Sequence, residues 1–172
     1  MNLDDLNDLP AWDDDYIKRL HGEEEEGDAW KPNPTRDACK AMYIKWNEII
    51  TMLKGALAEA EEDAEEPGQH GADFISHTKN LILSDAFEVG AKIRSSEAGR
   101  MYILRMENAA IIRKNAQYIK TAMLGMDDEM GIDTDHCDII RDEIDNFRVL
   151  FKTWVATFEK DEFEDEWGLF TQ

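Results

Sequence analysis

The sequence predicts an all-α protein, an antiparallel (up-down-up-down) four-helix bundle preceded by an acidic arm that contains a short helix. Three observations favour this fold. Apolar residues recur at alternating steps of three and four along four long segments, which is the spacing of one helix face. Proline, glycine and capping residues separate these segments. No stretch of useful length alternates apolar and polar residues as a strand does, and short loops between long helices favour antiparallel neighbours.

The first 34 residues form the predicted acidic arm. Residues 1–34 carry 11 acidic and 3 basic side chains, a net charge of −8. Pro10 can open a short helix and Gly22 can close it, which matches the preference for proline at helix starts and glycine after helix ends. We expect the aromatic residues of the arm to hold it against the bundle.

The first long helix is predicted over 36–66, with Thr35 as its N-cap and a stop at Pro67 and Gly68. Its apolar or small residues alternate steps of three and four, as in a bundle seam. This seam comprises Cys39, Met42, Trp46, Ile49, Leu53, Ala56 and Ala60.

The second and third helices are predicted over 73–93 and 97–124. Ser95 and Ser96 interrupt the apolar pattern between them, and either can cap the third helix. The third helix has two adjacent seams, so we expect it to contact two neighbours. Its net charge is +3 in a chain of −20. Arg105 stands in one seam and is expected to pair with Asp85 or Glu88 of the second helix.

The fourth helix is predicted over 134–161, capped by Asp133 or Thr134 after an acidic loop at 125–133. Its seam again alternates steps of three and four: Cys137, Ile140, Ile144, Phe147, Phe151, Trp154 and Phe158. The predicted organisation is therefore an acidic arm at 1–34, a bundle at 35–161 and an acidic-aromatic tail at 162–172.

Charge restricts the partners. The 172 residues include 19 basic and 39 acidic side chains, a net charge of −20. Such a chain is repelled by phosphate backbones and anionic membranes, so we expect neither nucleic acid nor membrane as a partner. No apolar run approaches the ~20 residues of a membrane span, and the N-terminus lacks the features of a secretory signal. We expect a cytoplasmic protein.

The two cysteines, Cys39 and Cys137, do not form a disulfide framework. Both occupy apolar seam positions, and the helix order places them at opposite ends of the bundle, so we predict that they are not bonded. The sequence contains no nucleophile elbow, phosphate loop or dinucleotide fingerprint. It therefore favours a protein without enzymatic activity and without a cofactor.

One end of the predicted bundle gathers His70, His77, His136 and Cys137 beside acidic loop residues. Imidazole and carboxylate together suit zinc or iron. A di-iron bundle would show Glu-x-x-His on two helices, and no glutamate stands three residues before any of these histidines. We expect no metal site, and His77 and His136 are the nearest candidates for one.

The opposite end is basic where the second helix meets the third. Arg94, Ser95, Ser96 and Arg100 cluster there, and the free N–H groups of a helix start favour an anion. These four residues are the candidate anion site. The alternative is internal pairing with acidic residues at the end of the fourth helix, which we favour.

The C-terminal tail interleaves acidic residues with Phe163, Trp167, Leu169 and Phe170. Exposed acidic-aromatic segments can dock in an apolar groove with a basic rim. Alternatively, these aromatic residues fold back and cover the end of the bundle. The pattern favours neither, and these four residues are the candidate partner-binding site.

The preferred hypothesis is an adaptor or regulator that acts through its acidic surfaces and binds a protein with a cationic or apolar groove. A small-ligand or metal-binding bundle, with or without catalysis, is the alternative. A third hypothesis is an acidic mimic of nucleic acid. The ligand binder requires a closed pocket, the mimic requires carboxylates spaced like phosphates, and the adaptor requires an exposed apolar patch or a mobile tail. The oligomeric state is left open.

Overall fold

The structure, a computed structural model, describes residues 8–20, 31–62 and 72–170. Its regular elements are six helices: α1 (Asp14–Leu20), α2 (Pro34–Glu62), α3 (Ala72–Gly99), α4 (Tyr102–Ala122), α5 (Met126–Met130) and α6 (Thr134–Val155). These segments contain no strand, so the predicted all-α class is confirmed. None of the helices in them has the length and apolar character needed to cross a bilayer.

Helix α2 lies at the centre of the packing and contacts both α3 and α6. Helix α3 packs along α4, whereas α4 and α6 contact each other more sparsely. The core includes buried residues from α2, α3, α4 and α6, and the boundary between α4 and α6 is the most sparsely packed of the boundaries between these helices.

The predicted seam of α2 is confirmed, because all seven of its residues are buried. Of the seven seam residues predicted for the fourth helix, five are buried and two, Phe151 and Phe158, are half-buried; Phe158 lies just beyond the end of α6. The two seams meet directly: the rings of Trp46 and Phe147 lie 4.7 Å apart. The indole N–H of Trp46 donates to the carbonyl oxygen of Ala86 on α3 at 2.7 Å, so this one side chain joins three helices.

Helix α2 begins earlier than predicted. Its first turn is capped by Asn33, whose Oδ1 accepts from the backbone N–H of Arg36 at 3.0 Å. The predicted cap, Thr35, is wrong: Thr35 lies inside the helix and its hydroxyl donates to the carbonyl of Thr157 at 3.3 Å. The predicted stop at residues 67–68 lies outside the described residues.

The predicted break at Ser95 and Ser96 is wrong, because α3 continues through both to Gly99. Their hydroxyls donate back to the carbonyl of Lys92, at 3.2 Å and 2.7 Å, which satisfies them without ending the helix. The turn lies at Arg100, whose φ of 50° is in the left-handed region. Glu97 is consequently part of α3, and α4 begins only at Tyr102.

The predicted acidic loop at 125–133 contains a short helix, α5, whose Met126 and Met130 are buried. Gly131 follows with φ 71°, a conformation that suits glycine. The prediction that Asp133 caps α6 is confirmed, since its carboxylate accepts from the N–H of Asp135 at 2.8 Å.

Helix α6 ends at Val155, so the predicted end at residue 161 is wrong. The hydroxyl of Thr157 donates to the carbonyl of Trp154 at 2.6 Å, which takes up one of the free carbonyls of the last turn. The segment from 159 to 161 therefore belongs to the tail and not to the last helix.

The described part of residues 1–34 packs against α2 and α3. Helix α1 starts at Asp14, and Asp13 caps it by accepting from the N–H groups of Asp15 and Tyr16 at 2.9 Å, so the predicted start at Pro10 is wrong. Instead, the Pro10 carbonyl accepts from the hydroxyl of Tyr43 at 2.6 Å. The ring of Trp12 lies 5.5 Å from that of Tyr43, and Ile17 is fully buried. The predicted helix end at Gly22 lies outside the described residues.

Candidate partner-binding surface

The tail, residues 159–170, is tied to the start of α4 by one carboxylate. Asp161 accepts from the backbone N–H of Tyr102 at 2.7 Å with one oxygen and from the N–H of Phe163 at 3.1 Å with the other. The N–H of Tyr102 is one of the four that a helix start leaves without an internal acceptor. Asp161 therefore caps α4 and fixes the position of the tail beside the start of this helix.

A second carboxylate shapes the tip of the tail. Asp165 accepts from the N–H groups of Trp167 at 3.0 Å, Leu169 at 2.6 Å and Phe170 at 2.9 Å. Hydrogen bonds from the backbone of Phe170, Trp167 and Leu169 hold the pKa of the Asp165 carboxyl below its ordinary value. Gly168 adopts φ 69°, so the chain turns around this carboxylate. The tip is thus a folded loop.

This loop exposes most of the apolar residues that the sequence singled out. Trp167 is 95% exposed, Leu169 is 74% exposed and Phe163 is 58% exposed. Phe170 is half-buried, and together with Phe163 it lines a cleft of about 430 Å³ beside Tyr102 and Ile103. The tail therefore combines both alternatives: Phe163 and Phe170 line the cleft at the start of α4, and Trp167 and Leu169 face solvent.

The tail also places an acidic segment next to this apolar tip. Residues 159–166 hold six acidic side chains and one lysine, a net charge of −5. An exposed indole amid carboxylates fits a cationic partner, because cations bind both carboxylates and aromatic faces.

The candidate anion residues lie near the α3–α4 turn, but each engages other groups. The guanidinium of Arg94 lies 4.4 Å from the ring of Tyr16. Ser96 is buried, and Ser95 also accepts from the amide of Asn108 at 3.3 Å. Arg100 is exposed in the turn itself. Anion binding here stays a prediction. The first N–H of α4, that of Tyr102, already donates to the carboxylate of Asp161 in the tail.

Arg105 forms a buried ion pair with Glu97, so the predicted pairing with Asp85 or Glu88 is wrong. Its Nη2 lies 3.2 Å from Oε1 of Glu97, a fully buried side chain. The predicted partner Glu88 instead accepts from the amide of Asn115 at 2.7 Å. Sequence reasoning missed Glu97 because the break at the serines had placed it on the same helix as Arg105.

The histidine candidates do not converge. His77 is exposed on α3, and His136 lies on α6 with its Nδ1 3.0 Å from Oε2 of Glu59. His70 lies outside the described residues. In the part of the chain that the structure describes, no three histidine, cysteine, aspartate or glutamate side chains are grouped to hold a metal ion.

Cys39 and Cys137 are both free and buried, which confirms that they are not bonded to each other. Burial raises the pKa of both thiols above the ordinary value. The thiol of Cys39 donates to the carbonyl of Ile93 at 3.2 Å. Both cysteines therefore act as small buried side chains in the core.

Comparisons with known proteins add no relative. A scan against family models and searches of curated proteins and of solved structures find no significant match.

Proposed function

We propose that this protein is a non-enzymatic adaptor or regulator that binds a protein partner through the acidic-aromatic tail. The observation that carries the proposal is Trp167, the most exposed large apolar side chain of the described residues. Tryptophan is enriched among the residues that dominate binding energy at interfaces. A tryptophan held outward by a built turn is suited to enter a pocket on another molecule.

The tip is preorganised for binding. Asp165 fixes the three backbone N–H groups around Trp167, Leu169 and Phe170 before any partner arrives. A loop that is already ordered loses less conformational entropy on association than a free chain does. The carboxylates around it would meet cationic residues at the rim of the partner's groove. The proposed partner is thus a protein with a basic rim and an apolar floor, in a reducing cytoplasm.

We also propose that α2, α3, α4 and α6 form the up-down-up-down bundle predicted from the sequence. Contacts between early residues of one helix and late residues of the next support this order. Cys39, early in α2, meets Ile93, late in α3, and Asn108, in the first half of α4, meets Ser95 near the end of α3. This order would bring the start of α4 and the end of α6 together, which is where Asp161 caps Tyr102.

The experiment that tests the function compares immobilised full-length protein with two matched double variants in extract of the cells that make it. Trp167→Ser with Leu169→Ser alters the tip, and Ile139→Ser with Val149→Ser alters apolar residues on α6 that are 51% and 63% exposed. Such surface changes usually alter the free energy of unfolding by less than about 0.5 kcal/mol. We expect the tip variant alone to lose a specifically captured protein. Equal capture by all three chains, or none by the unaltered protein, would contradict the proposal.

A further inference from the structure

A groove runs along the open boundary between α4 and α6, with a volume of about 250 Å³. Its floor is apolar and consists of Ala116 from α4 and of Ile144, Phe147 and Phe151 from α6. The small side chain of Ala116 leaves space against the aromatic rings opposite. The groove is therefore a shallow apolar trough, not a closed pocket.

The rim of this groove is basic. Arg113 and Lys120 lie on its α4 side, and Arg148 and Lys152 lie on its α6 side. The one acidic residue in its lining, Asp145, pairs with Lys120 at 2.5 Å and with Arg148 at 3.1 Å. The groove thus gathers four cations in a chain with a net charge of −20.

Two of these cations are available to a ligand. Arg113 and Lys152 are exposed, and neither pairs with an acidic side chain of the described segments. Because they lie on opposite sides of the apolar floor, an occupant would meet a positive charge at each edge. The chemistry that fits is a segment with aromatic side chains flanked by carboxylates.

We propose that this groove binds the acidic-aromatic tail of a second copy of the chain. The tail carries a net charge of −5 and presents Trp167 and Leu169 outward. The groove supplies what the proposed function requires of a partner, a basic rim around an apolar floor. This inference rests on the proposed function and names the partner.

The geometry favours a second copy over the same chain. The chain's own tail is held at the start of α4, where Asp161 binds the N–H of Tyr102 and Phe170 lines the cleft beside Ile103. The groove lies further along α4, from Arg113 to Lys120. A tail held at one site presents its tip to another molecule, and reciprocal exchange of two tails gives a closed, two-fold dimer.

The negative net charge of the chain opposes this association, so a change of charge can have opposite effects on general repulsion and on docking. Two chains of −20 repel each other, and salt screens that repulsion as well as the local attraction. Charge reversal separates the two effects. Changing Glu164→Lys with Glu166→Lys reduces the negative net charge from −20 to −16, so general repulsion predicts stronger association, whereas docking predicts weaker association.

Sedimentation velocity of the purified full-length protein, over a concentration series from about 1 µM upward, tests the proposal. We expect reversible dimers. The tail variant Glu164→Lys with Glu166→Lys, and the groove variant Arg113→Glu with Lys152→Glu, should each weaken the dimer by about tenfold or more. Combining all four changes should restore it, because opposite charges then face each other again.

The matched control is Lys92→Glu with Lys114→Glu, which changes the net charge as the groove variant does but lies outside the groove. It should weaken the dimer less than the groove variant. A monomer at all concentrations overturns the proposal. If the protein is a monomer but the tip variant Trp167→Ser with Leu169→Ser still loses the protein captured from extract, the proposed function stands and the partner is another protein. The protein could also remain a monomer in which Trp167 is shielded from solvent, with this shielding lost in the groove variant Arg113→Glu with Lys152→Glu. That result would show that the tail binds the groove of its own chain and would also overturn the proposal.

Discussion

At the residue scale, two buried indoles differ in how their N–H groups are satisfied. The N–H of Trp46 has a carbonyl acceptor on α3. Trp154 is fully buried, yet its Nε1 has no acceptor among the described residues. A buried polar group without a partner costs about 1–3 kcal/mol.

We therefore expect Trp154→Phe to destabilise the protein less than Trp46→Phe, by about 1 kcal/mol in the free energy of unfolding. Both changes remove the same atoms from a core, but only the second also removes a hydrogen bond. Urea unfolding followed by circular dichroism measures both values. A larger loss for Trp154→Phe would mean that its N–H is satisfied.

The buried pair of Glu97 and Arg105 permits a double-mutant cycle. Removing one partner of a buried ion pair costs about 3–5 kcal/mol, because the other charge is left without compensation. We expect Glu97→Leu and Arg105→Met to be strongly destabilising singly, and the double variant to be more stable than their sum predicts. Strictly additive losses in urea unfolding would show that the two side chains are independent.

At the element scale, periodicity predicted the seams because burial is decided by which helix face a residue occupies. The seam of α2 illustrates this, with all seven residues buried. The ends of helices depend on single hydrogen bonds instead. Ser95 and Ser96 match a capping pattern, but their hydroxyls bind the preceding turn. The left-handed turn at Arg100 has no signal in residue type, since glycine and asparagine usually occupy such positions.

The seam of α6 makes a strong prediction about stability. Phe147 is 2% exposed and packs on Trp46, whereas Val149 on the same helix is 63% exposed. We expect Phe147→Ala to lower the free energy of unfolding by about 3–5 kcal/mol. Val149→Ala should change it by less than about 0.5 kcal/mol. Similar urea midpoints for the two variants would be inconsistent with the helix packing described.

The ion pair between α4 and α6 predicts a pH dependence. The hydrogen bond from Lys120 holds the pKa of Asp145 below its ordinary value. A carboxyl with a depressed pKa in the folded state stabilises the fold above its unfolded pKa of about 3.9, and this stabilisation is lost as the pH falls through the folded pKa. We expect Lys120→Met to raise the pKa of Asp145 in an NMR titration.

The same variant should be less stable than the unaltered protein at pH 7, and the difference should shrink as the pH falls below about 4. Lys152→Met is the control, because Lys152 pairs with no acidic side chain of the described segments. A difference between Lys120→Met and the unaltered protein that stays constant on acidification would mean that the pair does not stabilise the fold.

At the scale of the whole molecule, charge is segregated: α4 has a net charge of +3 within a chain of −20. The tail could be identified from the sequence because its acidic and aromatic residues lie together in one short segment of the chain. The groove could not, because Arg113 and Lys152 come from helices far apart in sequence and meet only after folding. The sequence also did not predict the folded loop that exposes Trp167, because this loop depends on Asp165 accepting three backbone N–H groups at once.

The central claim is that Trp167 faces solvent in the resting protein and becomes covered by a partner. Fluorine NMR of the full-length chain labelled with fluorotryptophan tests it most directly, with the Trp167 signal assigned from Trp167→Phe. In dilute protein, a soluble paramagnetic agent should broaden this signal strongly and leave those of Trp46 and Trp154 sharp, as their burial requires. Partner binding should then protect it. A Trp167 signal already protected in the dilute monomer would contradict the account.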